Sequence, residues 1–426
     1  MPAIAFLECS RCHVHVSAAT PQTVCPACAG ALYVRYEMDA LRQSAARPDS
    51  QAADRAPSPG MWRYAGVLPD VEPVTLGEGW TPMLRSRRNP NLFLKEEANN
   101  PTGTFKARGL SLAVSMARNY GIKKLAVPSA GNAAGALAAY AAAAGIEANI
   151  FMPRDVPFAN YLECVAYGAN VTLVDGLISD CARIIAERSH QEGWFDISTL
   201  KEPFRVEGKK TMVYELVEQL GWEYPEAVFY PTGGGVGLIG MWKAFEEMEA
   251  LGWVRAGKRP RMFALQSSGC APVARAFQQG APVSQFFANA NTFASGLRVP
   301  KPYGDAIILE ILRESGGMAL DLPDEAILAS LLDWAKHEGI LLSPEGAAAT
   351  AAYDQLIATG DLKSSDRVVL FNTGAGLKYT DVIAEAMRLA RPNASGVAGK
   401  SAVVERDHRG IELPAKSRVG GIITPQ

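Results

Sequence analysis

The chain has 426 residues, 48% of them apolar, with 42 Lys and Arg against 44 Asp and Glu. That size supports one large core or two medium ones, and a net charge of −2 excludes the basic field of a nucleic-acid or anionic-membrane binder. No basic segment followed by an apolar one opens the chain, and the longest low-polarity run, Ala133–Gly145, is too short to span a bilayer. A cytoplasmic protein with no membrane and no nucleic-acid partner is expected.

Residues 1–41 hold Cys9-Ser-Arg-Cys12 and Cys25-Pro-Ala-Cys28, two knuckles twelve residues apart. Each knuckle lets two thiolates bind one ion from a tight turn, and two knuckles complete a tetrahedron. A zinc-ribbon-like segment with a structural Zn2+ on Cys9, Cys12, Cys25 and Cys28 is expected; four thiolates leave no place for a catalytic water. Residues 42–60, rich in Ala, Ser, Asp, Gln and Pro, read as a linker. The main domain is expected over 61–390 and a C-terminal extension over 391–426.

In Asn100-Pro-Thr-Gly-Thr-Phe-Lys106 the turn residues place Lys106 at the start of a helix. The positive end of a helix dipole favours the neutral amine, the form that attacks an aldehyde. Beyond it, apolar runs at Leu125–Pro128, Ala148–Met152, Val171–Val174, Ala227–Tyr230, Met262–Leu265 and Val368–Phe371 read as buried parallel strands. Helical segments lie between most of them: Ala133–Ala144, Ser179–Gln191, Thr211–Leu220, Leu238–Leu251 and Thr380–Leu389. The fold class is therefore α/β, with mainly parallel sheets covered by helices in two lobes.

Three strand ends carry unusual loops, and parallel sheets bind ligands there. Ser129-Ala130-Gly131-Asn132 exposes backbone N–H groups before an alanine helix, a carboxylate site with an amide beside it. Gly233-Gly234-Gly235-Val236-Gly237 can point successive N–H groups inward as a phosphate cup. Its glycine spacing also fits a dinucleotide fingerprint, but Met262–Ser267 ends without the acid that reading needs. Thr373, after the last strand, offers a hydroxyl to a buried heteroatom. A reactive lysine, a phosphate cup, an amide and a hydroxyl match the aldehyde, phosphate, phenolic oxygen and ring nitrogen of pyridoxal 5'-phosphate.

These motifs resemble those of the fold-type II pyridoxal-phosphate enzymes, the tryptophan synthase β-subunit superfamily, over residues 75–380. Within it they are most similar to the threonine synthases, where an N-terminal cysteine ribbon also recurs. Pro203-Phe-Arg205-Val-Glu-Gly-Lys-Lys-Thr211 is similar to a threonine synthase segment ending Glu-Gly-Gln-Lys-Thr. The resemblance implies a Schiff base on Lys106 and a cofactor held by Asn132, Gly233–Gly237 and Thr373. It implies a substrate carboxylate on Ser129, Ala130 and Gly131, and a substrate phosphate on Arg205. The implied reaction converts O-phospho-L-homoserine and water to L-threonine and phosphate, in a homodimer acting on a small amino acid. Ala107 and Glu202 depart from the pattern, and the all-glycine cup is closer to the dehydratases. A dehydratase or diamino-acid ammonia-lyase is the alternative, and a nucleotide-binding adaptor is a rival of another class. Five histidines and no Gly-x-Ser-x-Gly elbow set a hydrolase aside.

Overall fold

A computed structural model describes residues 4–48 and 60–388. Most of the expected linker and the whole expected extension, 391–426, lie outside the described residues. The N-terminal segment is an antiparallel sheet of β1 (Ile4–Cys9), β2 (His15–Val16) and β3 (Leu32–Tyr36), in the order β2-β1-β3. The boundary expected at residue 41 falls inside α1 (Met38–Ser44). Arg42 Nε and Arg47 Nη1 donate to the carbonyls of Ala250 and Trp253 at 2.8 and 3.0 Å, so this stretch is fastened to the main body rather than loose.

The first lobe is entered through β4 (Met83–Arg85), β5 (Leu92–Glu96) and α2 (Lys106–Asn119). It continues through β6 (Lys124–Pro128), α3 (Asn132–Ala144), β7 (Glu147–Pro153), α4 (Phe158–Ala166), β8 (Asn170–Val174), α5 (Ile178–Glu192) and β9 (Phe195–Asp196). After α6 (Phe204–Gln219) come β10 (Ala227–Pro231), α7 (Val236–Leu251), β11 (Arg261–Ser267), α8 (Pro272–Gln278), α9 (Asp305–Glu314) and β12 (Met318–Leu322). The second lobe ends with α10 (Asp324–His337), α11 (Pro344–Thr359), β13 (Val368–Asn372) and α12 (Thr380–Ala386).

One sheet is fully parallel, ordered β8-β7-β6-β9. The other is ordered β12-β11-β10-β13-β5-β4 and is parallel except for the β4–β5 pair. All six apolar runs are strands in these sheets, because residues such as those of β10 and β13 are buried on both faces. The carboxyl ends of β6, β10 and β13 then carry the three loops.

The helix expected from Thr211 begins seven residues earlier, at Phe204. Glu202 is the reason: its two carboxylate oxygens accept from the N–H groups of Phe204 and Arg205, each at 2.8 Å, capping the helix. Every residue of α6 from Phe204 to Glu218 is buried, charged ones included. Lys95 Nζ meets Glu215 Oε1 at 2.5 Å, and Arg108 bridges Glu97 and Glu215 at 2.7 and 2.8 Å. Burial alone would raise the Glu215 pKa, but Arg108 and Lys95 outweigh it and hold it down to about 2. Further along, Glu207 pairs with Lys210 and Lys243 and accepts from Tyr36 of the ribbon at 2.6 Å.

Replacing Arg108 with Met leaves Glu97 buried without its cation and Glu215 with Lys95 alone. Urea denaturation should show a loss of about 3–5 kcal/mol, the cost of breaking one side of a buried pair; a loss near zero would mean that the pair is not what fastens α2 to α6.

Candidate active site

Lys106 is the first residue of α2, where the sequence placed it. The loop before it turns through Thr102 (φ 61) and Gly103 (φ 65), then is tied to the loop after β13. Phe105 N–H donates to Thr373 O at 3.1 Å, and Ala375 N–H to Gly103 O at 2.8 Å. Two loops far apart in sequence thus form one wall of a cleft of about 380 Å³. Burial first, and then the Arg205 charge, push the Lys106 amine down to about 7, while Glu345 opposes them. Part of the side chain stays open to the cleft, but the amine end is desolvated. The dipole of α2 is thus not the main cause; the surrounding protein and a nearby cation are.

The cleft is lined by Lys106, by Ser129, Ala130, Gly131, Asn132 and Ala133, by Gly233, Gly234, Gly235, Val236 and Gly237, and by Thr373. The structure brings all of these together. Within the first loop, Ser129 N–H is spent on Phe151 O and Gly131 N–H on Ser129 Oγ. The amides of Ala130, Asn132 and Ala133 have no protein acceptor among the described residues and are free to receive an anion. Asn132 does not cap α3; Gly131 does, at φ 145, and a Cβ there would collide with Asn160.

In the glycine loop, α7 starts at Val236 behind Gly235, whose φ of 79 belongs to glycine. A Cβ on Gly233 would strike Gly296 O, and one on Gly237 the Tyr230 hydroxyl. The glycines therefore hollow out a cradle at the positive end of a 16-residue helix. Its shape fits a phosphate, and the buried, unpartnered Asn132 Oδ1 is a polar atom awaiting a ligand. These residues fit pyridoxal 5'-phosphate.

Arg205 does not line the cleft. It lies fully buried, with Nη1 donating to Ile197 O at 2.8 Å and with Nε and Nη2 unpartnered. Tyr230, Glu345 and Tyr379 line the cleft and escaped the sequence reading. Glu345 sits in a Ser-Pro-Glu-Gly helix start and Tyr379 directly after Lys378, but neither position declares a ligand by residue type alone.

At the ribbon, the four thiol sulfurs lie within 4.8 Å of one another. Neighbouring pairs are 3.4–3.6 Å apart, close to the roughly 3.8 Å edge of a tetrahedral zinc–thiolate site. The N–H groups of Arg11 and Cys12 point at Cys9 Sγ at 3.4 and 3.5 Å. His13 pairs with Glu8 and His15 stacks on Phe6, so neither competes for the ion. These four cysteines can bind a metal, and the set suits a structural zinc.

Two covered parallel sheets meeting at a buried lysine and a glycine cup define the fold-type II class of pyridoxal-phosphate enzymes. Residues 74–374 match the pyridoxal-phosphate dependent enzyme family, and the chain belongs to it. Among curated relatives, it is 32% identical to the threonine synthase of Methanosarcina acetivorans, across 87% of this chain and 92% of that one. It is 30% identical to the threonine synthase of Methanocaldococcus jannaschii, across 83% and 88%. Among solved structures, the diaminopropionate ammonia lyase of Escherichia coli shares the fold at a TM-score of 0.63 and 17% identity, across 74% of this chain and 90% of that one. Among the described residues, no helix is long and apolar enough to cross a membrane.

The protein stripped of cofactor should react with pyridoxal phosphate at a rate that climbs through pH about 7 and levels off above it. A lysine left at the ordinary 10.5 would keep gaining rate far into alkali. Stopped-flow absorbance distinguishes the two. Metal analysis should find close to one zinc per chain, reduced in a Cys25→Ser variant; a metal-free, fully folded protein would remove zinc from the ribbon.

Proposed function

We propose that the protein is a carbon–oxygen lyase that converts O-phospho-L-homoserine and water to L-threonine and phosphate, acting as a cytoplasmic homodimer. Lys106, Asn132, the cup Gly233–Gly237 and Thr373 would hold pyridoxal phosphate. When bound, the cofactor supplies an electron sink for the pair left at Cα. Lys106 then acts as the proton carrier: a neutral amine near pH 7 can take a proton from Cα and return it at a neighbouring carbon. The free amides at Ala130, Asn132 and Ala133, with Ser129 and Gly131 shaping the loop, receive the substrate carboxylate. Thr373 is a neutral partner for the ring nitrogen, so it does not enforce a positive ring as an aspartate would.

The observation that carries the phosphate substrate is Arg205. A fully buried guanidinium with two unpartnered nitrogens, outside the cleft lining but close enough to depress Lys106, supplies a fixed positive field behind the cleft. A positive field there favours an anionic substrate over a neutral one. The threonine synthases at 30–32% identity support the same assignment. Glu345 favours the second reading, an ammonia-lyase: a carboxyl in the cleft, its pKa raised by burial, suits a substrate with donors rather than a phosphate.

Release of inorganic phosphate from O-phosphohomoserine, measured beside ammonia release from threonine, serine and diaminopropionate, separates the readings. In the proposed enzyme Arg205→Ala should raise KM at least about ten-fold through the lost positive charge behind the cleft. An unchanged KM, or ammonia as the main product, would sink the phosphohomoserine assignment. Borohydride reduction followed by peptide mapping should place the cofactor on Lys106.

A further inference from the structure

Asn132 is held from behind by residues that the motif reading did not include. Its Nδ2 donates to Tyr379 Oη at 2.6 Å. Tyr379, at the start of α12, is completely buried, and its hydroxyl lies against the Glu345 carboxyl. Glu345 is the second residue of α11, a helix capped by the Ser343 hydroxyl on Gly346 N–H. Its Oε1 accepts from Gly296 N–H at 2.7 Å. The Tyr379 phenol and the Ser343 hydroxyl both act on the Glu345 carboxyl, while its buried Oε2 completes no hydrogen bond. Asn132 Oδ1 completes none either. The three side chains come from α3, α11 and the start of α12, and all three line the cleft.

A purely structural cluster at this depth would be closed, because a buried acceptor without a donor is costly. This line leaves Asn132 Oδ1 and Glu345 Oε2 without donors, and Gly296 N–H holds its Glu345 end through Oε1. Its polarity is set by chemistry. Burial, and then the Glu345 charge, push the Tyr379 phenol far above its ordinary range, so it stays protonated. With its proton toward the carboxylate, Oη keeps a lone pair for Asn132, and the carboxylate polarises it into a stronger acceptor. An amide gripped at Nδ2 cannot flip, so Oδ1 and the second N–H keep fixed directions.

We propose that Tyr379 and Glu345 are positioning residues that lock the Asn132 amide in one orientation toward the phenolic oxygen of the cofactor. This rests on the reading that Asn132 faces that oxygen. Neither residue need touch the ligand; Tyr379 acts through Asn132, and Glu345 through Tyr379. Tyr379→Phe removes one oxygen and keeps the ring in place, and Glu345→Gln keeps the shape while removing the charge.

The test measures the pyridoxal phosphate dissociation constant and the absorbance band of the bound cofactor. The variants are Asn132→Ala, Tyr379→Phe, Glu345→Gln and the Asn132→Ala/Tyr379→Phe double variant, each with a melting curve as a fold control. Asn132→Ala and Tyr379→Phe should each weaken binding about ten-fold and move the band in the same direction, with Glu345→Gln giving a smaller change. The double variant should bind no more weakly than Asn132→Ala alone, since Tyr379 has nothing left to position. Independent, multiplicative losses in the double variant would overturn the proposal, as would a Tyr379→Phe protein that binds and absorbs like the unmodified one. If Asn132→Ala itself changes neither quantity, the underlying placement of Asn132 is what fails, and the proposal fails with it.

Discussion

The pairing of charges along α6 is the constraint on which the rest of the molecule depends. A helix buried on every side keeps its carboxylates only where cations meet them, as at Glu207 and Glu215. Those partners come from everywhere: Lys95 from β5, Arg108 from α2, Lys243 from α7 and Tyr36 from the ribbon. Each pair has a narrow geometry, so α6 sets the mutual placement of elements that an apolar helix would let slide. Arg108 stands two residues beyond Lys106, and fixing it fixes the start of α2. The ribbon joins the same network through Tyr36, which explains why it packs as part of the body although its metal site is far from the cleft in sequence and chemistry.

Around the cleft the rule reverses. Among the described residues Lys106 forms no ion pair and feels Glu345 only at a distance, Arg205 keeps two unpartnered nitrogens, and Asn132 Oδ1 and Glu345 Oε2 are unsatisfied. The molecule is thus divided by a simple electrostatic criterion. Paired buried charges hold the fold, and the unpaired ones lie in or just behind the cleft. The same burial that makes the unpaired groups costly also makes them reactive, since it favours the neutral amine of Lys106 over the ammonium and stores the donors that an anion would take up.

Helix starts do much of the positioning. Lys106 begins α2, Gly131 caps α3, Gly235 caps α7, and Glu345 sits in the first turn of α11. Each of these ends places residues in the lining of the cleft. Glycines admit the close approaches: at Gly233 and Gly237 a single added carbon would meet Gly296 O or the Tyr230 hydroxyl. The Lys106 and Thr373 loops are tied backbone to backbone, so the amine and the hydroxyl cannot drift independently.

The sequence by itself determined the local features whose physics is short-range. Six apolar runs became strands of the two sheets, most of them buried on both faces; β8 is part-exposed. Glycine-rich and turn-rich segments became the loops at their ends, and two cysteine knuckles became one cluster. The lysine, the asparagine and the cup were legible because each is a motif within a few residues. Only the tertiary structure decided what depends on distant partners. The early start of α6 needed the Glu202 cap and cations from other elements, which hid its charged turns from any apolar periodicity. The depression of Lys106 came mainly from burial and Arg205, 99 positions away in number, rather than from its own helix. Tyr379 and Glu345 declare nothing in sequence; they acquire meaning only where the chain brings them behind Asn132, since a hydrogen bond is a property of two positions in space and a sequence specifies one at a time.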